Sequence, residues 1–292
     1  MPPIREKRRA CNWRSSKIVT RQVAKMLRSS GSTLPSFYDS LPNYRRSKRL
    51  RNNRTDKSNE HKKLDTNMFE SYLEDLWSRI SEDERISFAY IDCLWFSLYK
   101  DELTRTKVLR WIDSTNVFPR KYVFVPIVCW RHWSLLILCH FGEESSSKAN
   151  GPCMLLLDSL QGTGPKRLEP DIRRFVLDIY KSQGWKENKE FISKIPLLIP
   201  KVPQQTNGEE CGAFVLYFIY LFLQSAPDNF TQEGYPYFLK EDWFSLEDLE
   251  NFQEEINSFS MKVRRHMYSK KEDLELKQRK FRSRSKGIIH VQ

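Results

Sequence analysis

An α+β fold is predicted, and three observations lead to it. Apolar residues recur at helical intervals between about 66 and 114. Between 121 and 160, β-branched and aromatic runs are separated by turn signals. A charge-free, proline-free apolar run then extends from Cys211 to Gln224. Helices first, then strands, then one long helix is the order of an α+β domain.

The elements are taken in chain order. Met68 to Trp77 places apolar residues at helical intervals, and a second helix is expected from Tyr90 to about Lys100, with Cys93 inside its apolar stretch as packing. Thr106 to Ser114 reads as a third, short helix. Lys121–Val128 and Trp133–Cys139 carry the β-branched and aromatic residues that suit a pleated, buried surface, and Phe141–Gly151 reads as the exposed loop after them. Cys153–Leu160 is apolar enough for a central strand. Gln161–Arg167 is a Gly/Pro loop. Pro170–Ser182 is an amphipathic helix with Ile172, Phe175, Val176, Ile179 and Tyr180 on one side. The prolines around Ile195–Pro200 mark an edge strand. The run from Cys211 is long enough for a buried helix. After Ala226 come a Tyr/Pro/Phe-rich segment and a short acidic helix over Leu246–Ile256.

The net charge of +12 is unevenly spread: residues 1–63 carry +14, residues 64–260 carry −10 and residues 261–292 carry +8. The chain therefore reads as a basic disordered arm (1–63), a mildly acidic domain (64–260) and a basic tail (261–292). Lys7-Arg8-Arg9 and Arg45–Arg51 are clusters of the kind used for nuclear import or nucleic-acid contact. The nucleus is the expected location, with the cytoplasm as an additional one. A nucleic-acid partner is not expected for the core, whose charge opposes it, and no segment is apolar enough to span a membrane. The six cysteines form no CxxC pair, and the basic first 30 residues lack a signal-peptide core. Free thiols in a reducing compartment are expected.

One of those thiols stands out. Cys211 and Gly212 open the buried helix, where unpaired N–H groups and the positive helix end favour a thiolate. Gly212 leaves room for another backbone to approach the sulfur. A lone cysteine in this setting is more often a small buried hydrophobe, so a partner base decides the matter. Of five histidines, His61, His266 and His290 lie in the arms or near the ends, whereas His132 and His140 bracket the second strand. His132 stands at that strand's start. Asp158 ends the neighbouring strand, where a carboxylate needs exposure or a hydrogen-bonded partner. A metal site is not expected from these His and Cys spacings.

His132-Trp133-Ser134-Leu135, Leu157-Asp158-Ser159-Leu160 and Pro203-Gln204-Gln205 through Glu210-Cys211-Gly212 together resemble the motifs of the ubiquitin-like-protein (SUMO) cysteine proteases, of the adenovirus-protease-like clan. Short plant members are closest in wording, and the resemblance covers about Ile86 to Ser260. It implies a papain-like, adenain-type fold with a central mixed sheet and the nucleophile at the N-terminus of a buried helix. It implies Cys211 as nucleophile, His132 as general base and then acid, and Asp158 as the group fixing the imidazole. Gln205, six residues before Cys211, would give its side-chain amide to the oxyanion; without the family, Gln204 is nearly as good a choice. Trp133 and Gly212 would line a tunnel that admits a Gly-Gly tail. The reaction implied is thiolate attack after Gly-Gly of SUMO or another ubiquitin-like protein, in a precursor or an isopeptide conjugate, with no cofactor and no metal. The alternatives are a NEDD8 or ubiquitin deconjugating protease, or a non-catalytic binder of such modifiers.

Two departures from the family wording matter. Its Trp-Leu-Asn-Asp signature is replaced by Ser87-Phe88-Ala89-Tyr90-Ile91-Asp92, so either Phe88 or Tyr90 forms the tunnel's opposite wall or the tunnel is looser. Glu209-Glu210 stands before the cysteine, where carboxylates facing a thiolate would raise its pKa.

Overall fold

Asp65 starts the first helix by accepting the Met68 N–H at 2.9 Å, and the helix, α1 (Thr66–Arg79), buries Phe69, Tyr72, Leu73, Leu76 and Trp77 at helical spacing. The computed structural model describes residues 64–115, 120–142, 151–184 and 189–287, all within the unit spanning residues 61–292. The basic clusters at 7–9 and 45–51, and nearly all of the loop at 141–151, lie outside the described residues. A reciprocal Ser81–Glu84 capping box opens α2 (Glu82–Ser87), which runs into the three-residue strand β1 (Phe88–Tyr90).

Tyr90 therefore belongs to a strand, and the helix expected from it begins later, as α3 (Trp95–Lys100). The cause lies outside the segment: β1 pairs in parallel with β2 (Tyr122–Cys129), opposing Phe88 to Tyr122 and Tyr90 to Phe124. Asp92 then accepts the Leu94 N–H at 2.8 Å and turns the chain into α3, while Glu70 of α1 accepts the Cys93 N–H at 2.5 Å. Burial, then the charge of Asp92, pushes the Glu70 carboxyl up to about 8. The third helix, α4 (Glu102–Thr115), is longer than its apolar pattern alone indicates.

A five-stranded mixed sheet of order β1-β2-β3-β4-β5 forms the middle layer. β2 and β3 (His132–Cys139) are an antiparallel hairpin closed at Cys129↔His132. β3 pairs antiparallel with β4 (Cys153–Leu157) in the register Leu135↔Leu157, and the edge strand β5 (Leu197–Leu198) runs parallel to β4. Trp130 and Arg131 make the two-residue turn of the β2–β3 hairpin with φ of 52° and 64°. That left-handed backbone costs non-glycine residues about 1–2 kcal/mol each. The 161–168 loop is two short 3-10 turns, and α5 (Glu169–Ser182) buries the five residues its periodicity singles out.

After α6 (Lys189–Lys194) the chain passes β5 and reaches α7 (Cys211–Ser225). Phe214, Phe218 and Phe222 of α7 are fully buried, each contributing about 1.5–3 kcal/mol of hydrophobic stabilisation. On this face of the sheet α7 joins α1 and the start of α8 (Leu246–Gly287): Tyr72 meets Phe252 edge-on at 5.6 Å, and Tyr217 lies 4.7 Å from Phe252. On the other side Phe175 of α5 packs with Phe96 and Tyr99 of α3. The acidic helix expected over 246–256 is too short. Residues 257–286 hold no Gly or Pro and are rich in Lys and Arg, good helix formers, so the helix runs on to Gly287.

Candidate active site

The register of the two central strands assembles the site. With Leu135 opposite Leu157, Ser134 falls opposite Asp158, at the same end of the sheet as the hairpin that carries His132. The Asp158 carboxylate is 1% exposed and fully engaged. Oδ1 accepts from the His132 ring through Nε2 at 2.8 Å and from the Leu160 N–H at 2.7 Å, while Oδ2 accepts from the Ser134 hydroxyl at 2.7 Å. Burial opposes its charge, but the hydrogen bond and charge of His132, then Ser134 and Leu160, hold Asp158 below the usual carboxylate range.

With Nε2 on Asp158, the other ring nitrogen of His132 is left for a second partner. The Cys211 side chain is the ring's other polar neighbour and supports its protonated form. Burial again opposes charge; the Asp158 and Cys211 hydrogen bonds, and then their charges, raise His132 to about 9. An imidazolium of that basicity beside a thiol at a helix start is the arrangement that holds a thiolate. Cys211 is the first residue of α7, and Glu210 caps it through its backbone, with no side-chain hydrogen bond. Glu209 is exposed, and with Leu64, Glu210, Ala213, Gln253 and Ile256 it lines a small cleft against this turn.

The two glutamines separate clearly. Gln204 spends its side chain on the loop backbone: Nε2 donates to the Val202 and Asp158 carbonyls at 2.9 and 3.1 Å, and Oε1 accepts the Gln161 N–H at 2.8 Å. Gln205 is nearly buried. Its backbone N–H donates to the Ser159 carbonyl at 2.9 Å, and its Oε1 accepts the Ser159 hydroxyl at 2.6 Å. That contact fixes which way the amide faces, and Nε2 donates one hydrogen to the Asn207 carbonyl at 2.5 Å, leaving its second for a ligand. In the sequence, Ser134 and Ser159 sit inside the motifs with no task of their own. Only their pairing across the sheet and loop shows one.

Trp133 is 3% exposed, its indole stacked on Phe69 at 4.3 Å. The wall expected from Phe88 or Tyr90 is therefore not what faces it. Phe88 stacks on Tyr122 and Phe124 inside the core, and Tyr90 packs edge-on against Trp77. The space above Gly212 is taken too: a Cβ there would stand 3.3 Å from Leu64 Cβ and 3.6 Å from Trp133 Nε1. His140 is a structural residue, buried and accepting the Phe230 N–H at 3.0 Å. His266 is exposed on α8, and His61 and His290 lie outside the described residues.

A family model described as the Ulp1 protease family, C-terminal catalytic domain, matches residues 47–264. Probable ubiquitin-like-specific protease 2A of Arabidopsis thaliana is 28% identical over 210 residues, covering 63% of this chain and 26% of that protein. Ubiquitin-like-specific protease 1C of the same plant is 31% identical over 156 residues, covering 49% of this chain and 26% of that protein. The chain thus spans about a quarter of the length of these relatives. Among solved structures, one described as the de-sumoylating protease superposes with a TM-score of 0.50 at 19% identity, over 72% of this chain and 82% of that one, which is a likeness of fold.

Proposed function

Because the chain belongs to the Ulp1 protease family, we propose that it is a cysteine protease that cleaves after the C-terminal Gly-Gly of a ubiquitin-like modifier, with SUMO as the modifier. The observation that carries this reading is the His132–Asp158 hydrogen bond with Cys211 beside the same ring, at the start of a buried helix. Cys211 attacks the glycyl carbonyl as thiolate, forming a thioester as His132 passes its proton to the departing amine. His132 then takes a proton from water, whose oxygen attacks the thioester and releases the modifier's carboxylate and the free thiol. Asp158 holds the ring so that Nε2 stays protonated throughout. The relatives' names support the substrate class; NEDD8 and ubiquitin are the competing modifiers.

The packing of Leu64 and Trp133 over Gly212 would act on the tail as a physical filter. With Leu64 and Trp133 already against Gly212, a tail reaches the sulfur only if Leu64, which is half-buried, gives way. Residues without a Cβ ask for the smallest displacement. Reacting the full chain with SUMO, NEDD8 and ubiquitin that end in a thiol-reactive electrophile tests the reading. A covalent adduct on Cys211 with SUMO is expected; labelling by ubiquitin alone would reassign the modifier, and labelling by none would remove the protease reading.

We assign the second Gln205 amide hydrogen, with the Cys211 backbone N–H, to the developing oxyanion. Gln205→Ala should lower kcat by about 10²–10³-fold, equivalent to about 2.7–4 kcal/mol. Ser159→Ala, which only frees the amide to turn, should lower it about tenfold, the value of one hydrogen bond. Alkylation of Cys211 by iodoacetamide forms no oxyanion and should proceed at the parent rate in both variants. An unchanged kcat in Gln205→Ala removes that residue from the site.

Nuclear residence is part of the same proposal and rests on the basic clusters of the first 63 residues. A fluorescent fusion lacking that segment should spread into the cytoplasm while its purified counterpart keeps full activity on a soluble substrate.

A further inference from the structure

The turn that delivers His132 is unusual in what it displays. A two-residue hairpin turn with φ positive at both positions favours Asn-Gly, yet Trp130 and Arg131 stand there. The Trp130 indole is 53% exposed, against 3% for Trp133 three residues on. Two cations attend it: the Arg167 guanidinium lies 4.0 Å from the ring centroid and the Lys100 ammonium 5.2 Å. Lys100 is balanced by Asp171 at 2.6 Å. Lys166 and Arg167 are exposed, and among the described residues neither has an ion-pair partner. A strained turn thus presents an aromatic–cationic surface immediately beside the proposed general acid. Strain retained next to a reactive residue points to use.

Its position narrows the use. Trp133 and Gly212, where the modifier's tail would lie, are on the α7 side of His132. Trp130 and Arg131 precede it, at the tip of the hairpin. The proton His132 gives up goes to the departing amine, so the released polypeptide leaves on the histidine's side of the bond. We propose that the Trp130–Arg131 turn and the Lys166–Arg167 turn together dock an acidic segment of the polypeptide released by cleavage, selecting substrates by the residues on the leaving side of the scissile bond. This rests on the protease reading above. A polypeptide fits better than a nucleic acid, because Arg167 already lies over the indole that a base would stack on, and residues 64–260 carry −10.

The test uses the full chain and three substrates. Two are SUMO fusions, one continuing into an Asp/Glu-rich segment and one into a Ser/Gly segment; the third is SUMO joined to an aminocoumarin. The acidic fusion should show kcat/KM about tenfold above the neutral one at low salt, the gap closing at about 0.5 M salt. Lys166→Glu with Arg167→Glu should abolish or invert that preference and leave aminocoumarin release unchanged. Trp130→Asn with Arg131→Gly supplies the residues the turn favours; it should hold or raise the Tm and still lose the preference, which a merely structural turn would not do. Cleavage of both fusions at one rate by the parent protein overturns the inference and leaves the protease reading intact. Equal loss on all three substrates in the charge-reversed variant overturns it too, as does loss of an RNA mobility shift with the peptide preference unmoved. Failure of the parent protein to cleave any of the three sinks the protease reading and this inference together.

Discussion

Cys211→Ser will remove cleavage of a SUMO fusion, by about 10⁵–10⁶-fold, while the protein still binds the modifier. The exchange replaces one buried atom at the first residue of α7, and the serine hydroxyl can still donate to the His132 ring, so the helix start and the core behind it stay in place. What disappears is the anion. The helix terminus and an imidazolium raised to about 9 can hold a thiolate near neutrality, whereas neither brings an alkoxide into reach. Single-turnover cleavage and calorimetric binding of SUMO would be measured side by side, with a thermal melt on each protein. Loss of binding in step with loss of cleavage, at an unchanged Tm, would mean that the sulfur contributes to recognition rather than to chemistry. The variant also offers a stable complex, since it keeps the groove beside Trp133 and Gly212 and cannot turn the substrate over.

The parts of this site that are legible in the sequence are those that local pattern determines. The β-branched and aromatic runs of Tyr122–Cys129 and His132–Cys139, the one-sided helix Glu169–Ser182 and the uninterrupted apolar run after Cys211 each announce themselves within a few residues. The proposed nucleophile, histidine and carboxylate come from where those elements begin and end, read with the family resemblance. What escapes is whatever a distant partner decides. β1 is three residues long and is a strand only because β2 offers it an edge. Phe69 faces Trp133 from a remote part of the chain, and nothing near Phe69 marks it as an indole's partner. Ser134 and Ser159 look like ordinary strand-end hydroxyls until the register sets one against Asp158 and the loop sets the other against Gln205. The extension of α8 has a different cause. Its high charge suggests a tail, yet Lys and Arg are good helix formers whatever they pack against, and no Gly or Pro interrupts them.

Asp158 and Ser159 are adjacent, and that adjacency ties the two halves of the proposed mechanism to one dipeptide. One side chain orients the imidazole, the next orients the amide, and the Leu160 N–H locks the turn onto Asp158. A shift of this loop would therefore misplace base and oxyanion donor together. Substitutions that preserve the loop should separate them.

Asp158→Asn is the substitution that does so. The amide oxygen can still accept from His132 and Leu160 while its NH₂ faces the Ser134 hydroxyl, which can turn to accept, so the geometry is retained and the charge is lost. Without the carboxylate the ring loses the strongest support of its raised basicity, and the wrong tautomer becomes accessible. A fall in kcat of about 10³–10⁴-fold is expected, up to the loss seen when a serine triad is changed in this way. The pH profile supplies the sharper reading. In the parent protein the imidazolium survives until about 9, so activity should fall as pH rises through that value; in Asp158→Asn that alkaline limb should move down toward 6.5. Because the ring and thiol titrate together, the limb belongs to the pair. Stability obeys the same sign. A histidine raised from 6.5 to about 9 contributes stability that is fully present below 6.5 and is lost as pH rises through 9. The Tm deficit of Asp158→Asn should therefore be larger at about pH 6 than at about pH 10. An alkaline limb that stays near 9 in the variant would show that Asp158 does not set the histidine's basicity, and the carboxylate would have to be reassigned as a brace for the hairpin.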